Sequence, residues 1–111
     1  MNLKKEKINE VLLITIQDRE ANLSKAEGFK EEVFQEIHGG ETRLIISFKN
    51  VTYLDSSFLG ALVAILKNLL PLKGQLVLTD LNDDIQNLFE LTRLDKVFMI
   101  RNSSENAMTE F

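Results

Sequence analysis

From Val51 to Leu70 the chain reads VTYLDSSFLGALVAILKNLL, a polar Asp55-Ser56-Ser57 cluster followed by a run that is apolar almost throughout. An acidic and hydroxyl cluster ahead of such a run marks the start of a helix, because a side-chain oxygen there takes up one of the first-turn N–H groups that lack a partner within the helix. A helix is predicted from about Ser57 to Leu70, ending before Pro71. Its polar positions reduce to Lys67 and Asn68. Apolarity on nearly every side means burial on more than one, either between a sheet and other helices or beneath a docked partner.

The flanking segments supply the rest of an α/β pattern. Upstream, Leu44 to Phe48 (LIISF) is a compact apolar run with a β-branched pair, as expected of a strand covered on both faces. Before it, Ala26, Phe29, Val33, Phe34 and Ile37 form a helical stripe from Leu23 to Gly39-Gly40, with Lys30, Glu31, Glu32 and Glu36 on the solvated side. Val11 to Ile16 (VLLITI) reads as a strand, and Leu3 to Ile8 as an edge strand joined to it by a turn near Asn9. Downstream, Gln75 to Thr79 is the next strand, Asn82 or Asp83 caps a helix through Glu90, and Val97 to Ile100 is a last short strand. The polar tail from Ser103 adds a frayed terminal helix. Strands alternating with helices imply a sheet with a largely parallel centre. No repeat or linker divides residues 1 to 111, so one domain is expected.

Composition narrows the function. The absence of cysteine removes disulfides, thiolate metal sites and cysteine nucleophiles, and suits a reducing cytoplasm. The opening MNLKKEKINE has no apolar signal core, and no run is long enough to span a bilayer. A net charge of −4 argues against a phosphate-backbone footprint, and hence against nucleic acid as a direct partner. No phosphate-cradling glycine loop, metal-ligand cluster or nucleophile elbow is present, so neither metal nor cofactor is expected.

The Asp55-Ser56-Ser57 cluster supports two readings. One is capping alone. The other uses the same geometry, since a phosphate on a helix N-terminus meets free N–H donors and the positive end of the helix dipole while adding about two negative charges. With Asp55 beside it, that modification creates a concentrated acidic surface able to break an interface. A third use, Ser57 as a catalytic nucleophile, lacks a base: the single histidine, His38, ends a different helix. Asp83-Asp84 reads as capping rather than a catalytic carboxylate pair, and Lys4, Lys5 and Lys7 as a solvated edge. Thr92, Arg93 and Asp95 read as a corner held by local hydrogen bonds.

LDSSFLGALV closely resembles the D-S-S-G-L-G segment of STAS domains, the family that includes bacterial anti-sigma factor antagonists. LFELTRLDKVFMI, Leu88 to Ile100, is similar to that family's C-terminal L-x-x-L-T-x-L-D-K-x-F stretch. The resemblance implies a mixed four- or five-stranded sheet with flanking helices, and a role in partner switching. There the antagonist binds an anti-sigma factor that is also a serine kinase, phosphorylation of the motif's second serine, here Ser57, releases it, and a phosphatase resets it. By the same resemblance Asp55 orients the site and Ser56 supports its hydrogen bonding, while ATP and Mg²⁺ belong to the kinase. Two positions depart from the family pattern. Phe58 puts a bulky aromatic in place of a glycine where a kinase must come close, and serves either as a staple against the domain or as an exposed interface anchor. Asn22 stands where many relatives carry an acidic residue before the first long helix. A ligand-sensing or scaffolding module that is never phosphorylated is the alternative these departures leave.

Overall fold

The computed structural model describes residues 1–111. Its main sheet has five strands: β1 (Leu3–Ile8), β2 (Val11–Ile16), β4 (Arg43–Ser47), β6 (Gln75–Thr79) and β7 (Met99–Arg101), in the spatial order β1-β2-β4-β6-β7. β1 and β2 form an antiparallel hairpin turning at Asn9 and Glu10, both in the left-handed region, and every other pairing is parallel. The sheet is therefore mixed, as the resemblance implies.

Alternation along the strands assigns the two faces. Leu12, Ile14 and Ile16 on β2, Leu44 and Ile46 on β4, and Leu76 and Leu78 on β6 enter one core with helices α1 (Leu23–His38), α2 (Ser56–Leu69) and α3 (Asp83–Leu91). Val11, Ile45 and Val77 point the other way, into a smaller cluster with Ala107 of α4 (Ser104–Met108). β4 is thus covered on both faces, which accounts for its unbroken apolar run. No helix is long and apolar enough to cross a membrane.

Several ends differ from the sequence reading. α2 begins at Ser56 and gives way at Leu70 to a tighter turn through Leu72 that accommodates Pro71. The last strand starts at Met99 rather than Val97. Arg93 takes a left-handed conformation, the N–H groups of Val97 and Phe98 both bond the Leu94 carbonyl, and the chain is still turning until Phe98 enters the core. In that corner the Thr92 hydroxyl donates to the Leu88 carbonyl at 2.8 Å, whereas Asp95 Oδ1 is buried without a partner and does not support it as expected.

The edge strand is less free than its lysines suggest. Lys5 bridges Glu32 and Glu36 of α1 at 2.8 and 2.7 Å, bonds that hold its ammonium above the ordinary lysine range, and Lys7 meets Glu41 at 2.9 Å. At the other end of β1 the Asn2 N–H donates to Asp18 at 2.7 Å. That bond, with Lys25 beside it, keeps the Asp18 carboxyl below the usual carboxylate range.

Candidate functional site

The connections before α1 and α2 are joined by a second, two-stranded sheet that no sequence period announces. β3 (Glu20–Ala21) and β5 (Tyr53–Leu54) pair in parallel, with Ala21 beside Leu54. The Thr52 N–H donates to the Arg19 carbonyl at 2.7 Å and the Asp55 N–H to the Ala21 carbonyl at 3.1 Å. Because both strands lead directly into helices, this pairing brings the N-termini of α1 and α2 together.

Asp55 links them. As the N-cap of α2 it accepts the Phe58 N–H on Oδ1 at 3.0 Å, and with Oδ2 it accepts the Leu23 N–H of α1 at 2.8 Å. One carboxylate therefore satisfies an unpaired donor of each helix and lies at the positive end of both dipoles. Asn22 holds the N-cap position of α1, but its side chain makes no cap bond there. Its Oδ1 accepts the Ser24 hydroxyl at 2.7 Å instead. Capping of α1 has passed from Asn22 to a carboxylate 32 positions beyond Leu23.

Asp55→Ala is expected to remove both caps and cost about 2 kcal/mol, at roughly 1 kcal/mol each. Asp55→Asn, whose amide keeps one acceptor oxygen, should cost about half as much. Urea denaturation at neutral pH checks the order; equal, small losses in the two variants would contradict the shared cap.

Ser56 and Ser57 are the first two residues of α2. Ser56 is exposed, and the hydrogen bonding expected of it is supplied by Asp55. Ser57 is half-buried and lines a groove of about 250 Å³ between α1 and α2. Phe58 is 0% exposed and packs its ring on Phe29 with centroids 4.6 Å apart. It is not an exposed anchor, and its bulk, turned into the core, does not stand over Ser57.

Two apolar residues beside the cluster escaped the sequence reading. Leu23 and Tyr53 are 71% and 53% exposed, one opening α1 and the other two residues before Asp55. Leu23 lies three residues before Ala26, in step with the buried stripe, so periodicity alone does not mark it as exposed. On the far side of β5, Asn82 caps α3 by accepting the Ile85 N–H at 2.8 Å and donates to the Thr52 carbonyl at 3.2 Å, so a third helix N-terminus is tied to this surface. Asp83 and Asp84 occupy that helix's first turn, where their charge complements the dipole.

Elsewhere, His38 closes the last turn of α1, at the end away from Asp55. No group of three or more histidine, aspartate or glutamate side chains is placed to hold a metal ion. The largest concavity, about 400 Å³, lies on the other face of the sheet. Leu13 and Ile45 line it, together with Lys4, Thr15, Ser47 and Asp80.

The model of the STAS domain matches residues 2–107. A protein of Thermotoga neapolitana, provisionally named an anti-sigma factor antagonist, is 30% identical over 105 residues, covering 94% of this chain and 93% of its own. The crystal structure of a protein of the same provisional name from Thermotoga maritima superposes with a TM-score of 0.90 at 26% identity, covering 97% of this chain and 92% of that one. The phosphorylated form of the Bacillus cell fate determinant SpoIIAA shares the fold, with a TM-score of 0.75 at 19% identity over 99% of this chain and all of that one. A match over nearly the whole chain, joined to the Asp55-Ser56-Ser57 helix start and the mixed sheet, shows that the chain belongs to the STAS domain family.

Proposed function

We propose that residues 1–111 form one STAS domain that acts as an anti-sigma factor antagonist, a protein-binding module switched by phosphorylation of Ser57. The observation that carries this reading is the surface Asp55 assembles. Two helix N-termini are locked together, Ser57 is half-exposed in the first turn of one, and the exposed apolar side chains of Leu23 and Tyr53 flank them. Exposed apolar side chains around a polar centre suit a protein contact. The names of the relatives indicate an anti-sigma factor as the partner.

The chemistry of the switch belongs to that partner. An anti-sigma factor with serine kinase activity transfers the γ-phosphoryl group of ATP to Ser57 Oγ; the hydroxyl loses its proton and ADP leaves. A phosphatase then hydrolyses the ester. This chain supplies the acceptor and no catalytic group. His38 lies about 20 Å along α1 from the end that meets Ser57, too far for a general base. With Phe58 turned inward, a kinase meets Ser57 without an aromatic ring in its path. The partner, the kinase and the switch itself lie in the cytoplasm.

Co-purification from the cells the chain comes from, followed by intact-mass measurement before and after phosphatase treatment, tests the proposal. The expected result is an anti-sigma factor in the complex and a phosphoryl group on the released wild-type chain that Ser57→Ala does not carry. The second reading, a STAS module that senses a ligand without being phosphorylated, draws on the 400 Å³ concavity. A chain that never carries phosphate, under any growth condition, would favour it.

A further inference from the structure

The groove beside Ser57 contains one cation. Ala26, Glu27 and Lys30 of α1 face Ser57, Gly60 and Ala61 of α2 across about 250 Å³, with Leu23 at its mouth. The Lys30 ammonium lies 3.1 Å from the Glu27 carboxylate and 6.0 Å from the centre of the Phe34 ring. Glu27 is 74% exposed, so this pair is worth little and exchanges readily. The other lysine near the start of α1, Lys25, is occupied by Asp18 at 3.2 Å and by the Glu20 carbonyl at 3.1 Å.

Gly60 points the same way. A glycine inside a helix is destabilising relative to alanine. A Cβ at Gly60 would meet no atom within 4 Å, so no packing contact requires the glycine. What its missing side chain leaves is open space on the groove wall, one helical turn from Ser57.

We propose that Lys30 is the internal counter-ion of a phosphoryl group on Ser57: its ammonium exchanges the Glu27 carboxylate for the phosphate in the space beside Gly60. The inference rests on the reading of Ser57 as the acceptor and adds the means by which the modified state is held. A phosphoserine at this position stands near two carboxylates, Asp55 on the cap and Glu27 on α1, and only Lys30 within the groove opposes their repulsion. Once paired, phosphate and lysine together fill the groove between α1 and α2, which closes it to any side chain a partner inserts there. Phosphorylation then acts by occupying a recess as well as by adding charge.

The test uses the full chain with phosphoserine placed at position 57 during translation, so no kinase is needed. Phosphorus NMR follows the second ionisation of the phosphate as pH is varied in otherwise wild-type protein and in the Lys30→Met and Lys30→Arg variants. A nearby cation favours the dianion. The ionisation is expected about half a pH unit or more lower in wild type and Lys30→Arg than in Lys30→Met, with the gap narrowing in high salt. Coincident curves for the three proteins would overturn the role of Lys30 and leave Ser57 as acceptor untouched. Failure of every cellular kinase to modify Ser57 would do the reverse.

Discussion

Phe58→Ala is expected to destabilise the protein by about 3 to 5 kcal/mol, the range for deleting a buried aromatic side chain whose surroundings relax only partly. The ring is fully buried and stacks on Phe29 at 4.6 Å with the planes tilted by 31°, so its loss empties space between α1 and α2 and strips one partner from an aromatic pair. Phe58→Gly, which installs the residue usual in the D-S-S-G-L-G segment, should be worse still, because a helix-interior glycine adds about 1 kcal/mol. The backbone N–H of Phe58 that Asp55 caps remains in both variants, so the loss belongs to the ring. Chemical denaturation monitored by circular dichroism measures it. A cost under about 1 kcal/mol for Phe58→Ala would mean the ring is not part of the core.

That aromatic shows what the sequence could and could not reveal. The motif places Phe58 three positions after Asp55 at a helix start, and the order of the five main-sheet strands and the helices between them follows from periodicity and cap residues. Which way the ring points depends on Phe29, 29 residues earlier, and on how two helices pack. No local pattern encodes that. The same holds for Asp55. Its capping of α2 is legible three residues ahead, but its bond to the Leu23 N–H exists only because β3 and β5 pair, and two-residue strands have no period to read. Asn22 illustrates the cost of reading locally, since a good cap residue in the cap position yields the helix donor to a distant carboxylate. The start of the last strand is likewise not set by residue type. Val97 is β-branched and apolar, but the left-handed Arg93 keeps the chain turning past it and leaves Val97 55% exposed.

The largest effect on function is expected at Ser57. Unmodified, its half-buried hydroxyl sits in a surface of helix N-termini and exposed apolar side chains. A phosphoryl group adds about two negative charges beside Asp55, and covering it with a partner requires desolvation that Lys30 alone does not offset. Ser57→Ala should bind the anti-sigma factor as wild type does. Ser57→Asp should bind more weakly, though with a single charge and a shorter side chain than phosphoserine. Both variants should stay folded, because Ser57 makes no cap bond and the cap of α2 is Asp55.

The most direct test is calorimetric titration of the cognate anti-sigma factor with the unmodified chain and with the chain phosphorylated at Ser57, each shown by circular dichroism to be folded. Phosphorylation is predicted to weaken binding by about 100-fold or more, on the order of 3 kcal/mol; equal affinity for the two forms would contradict the switch.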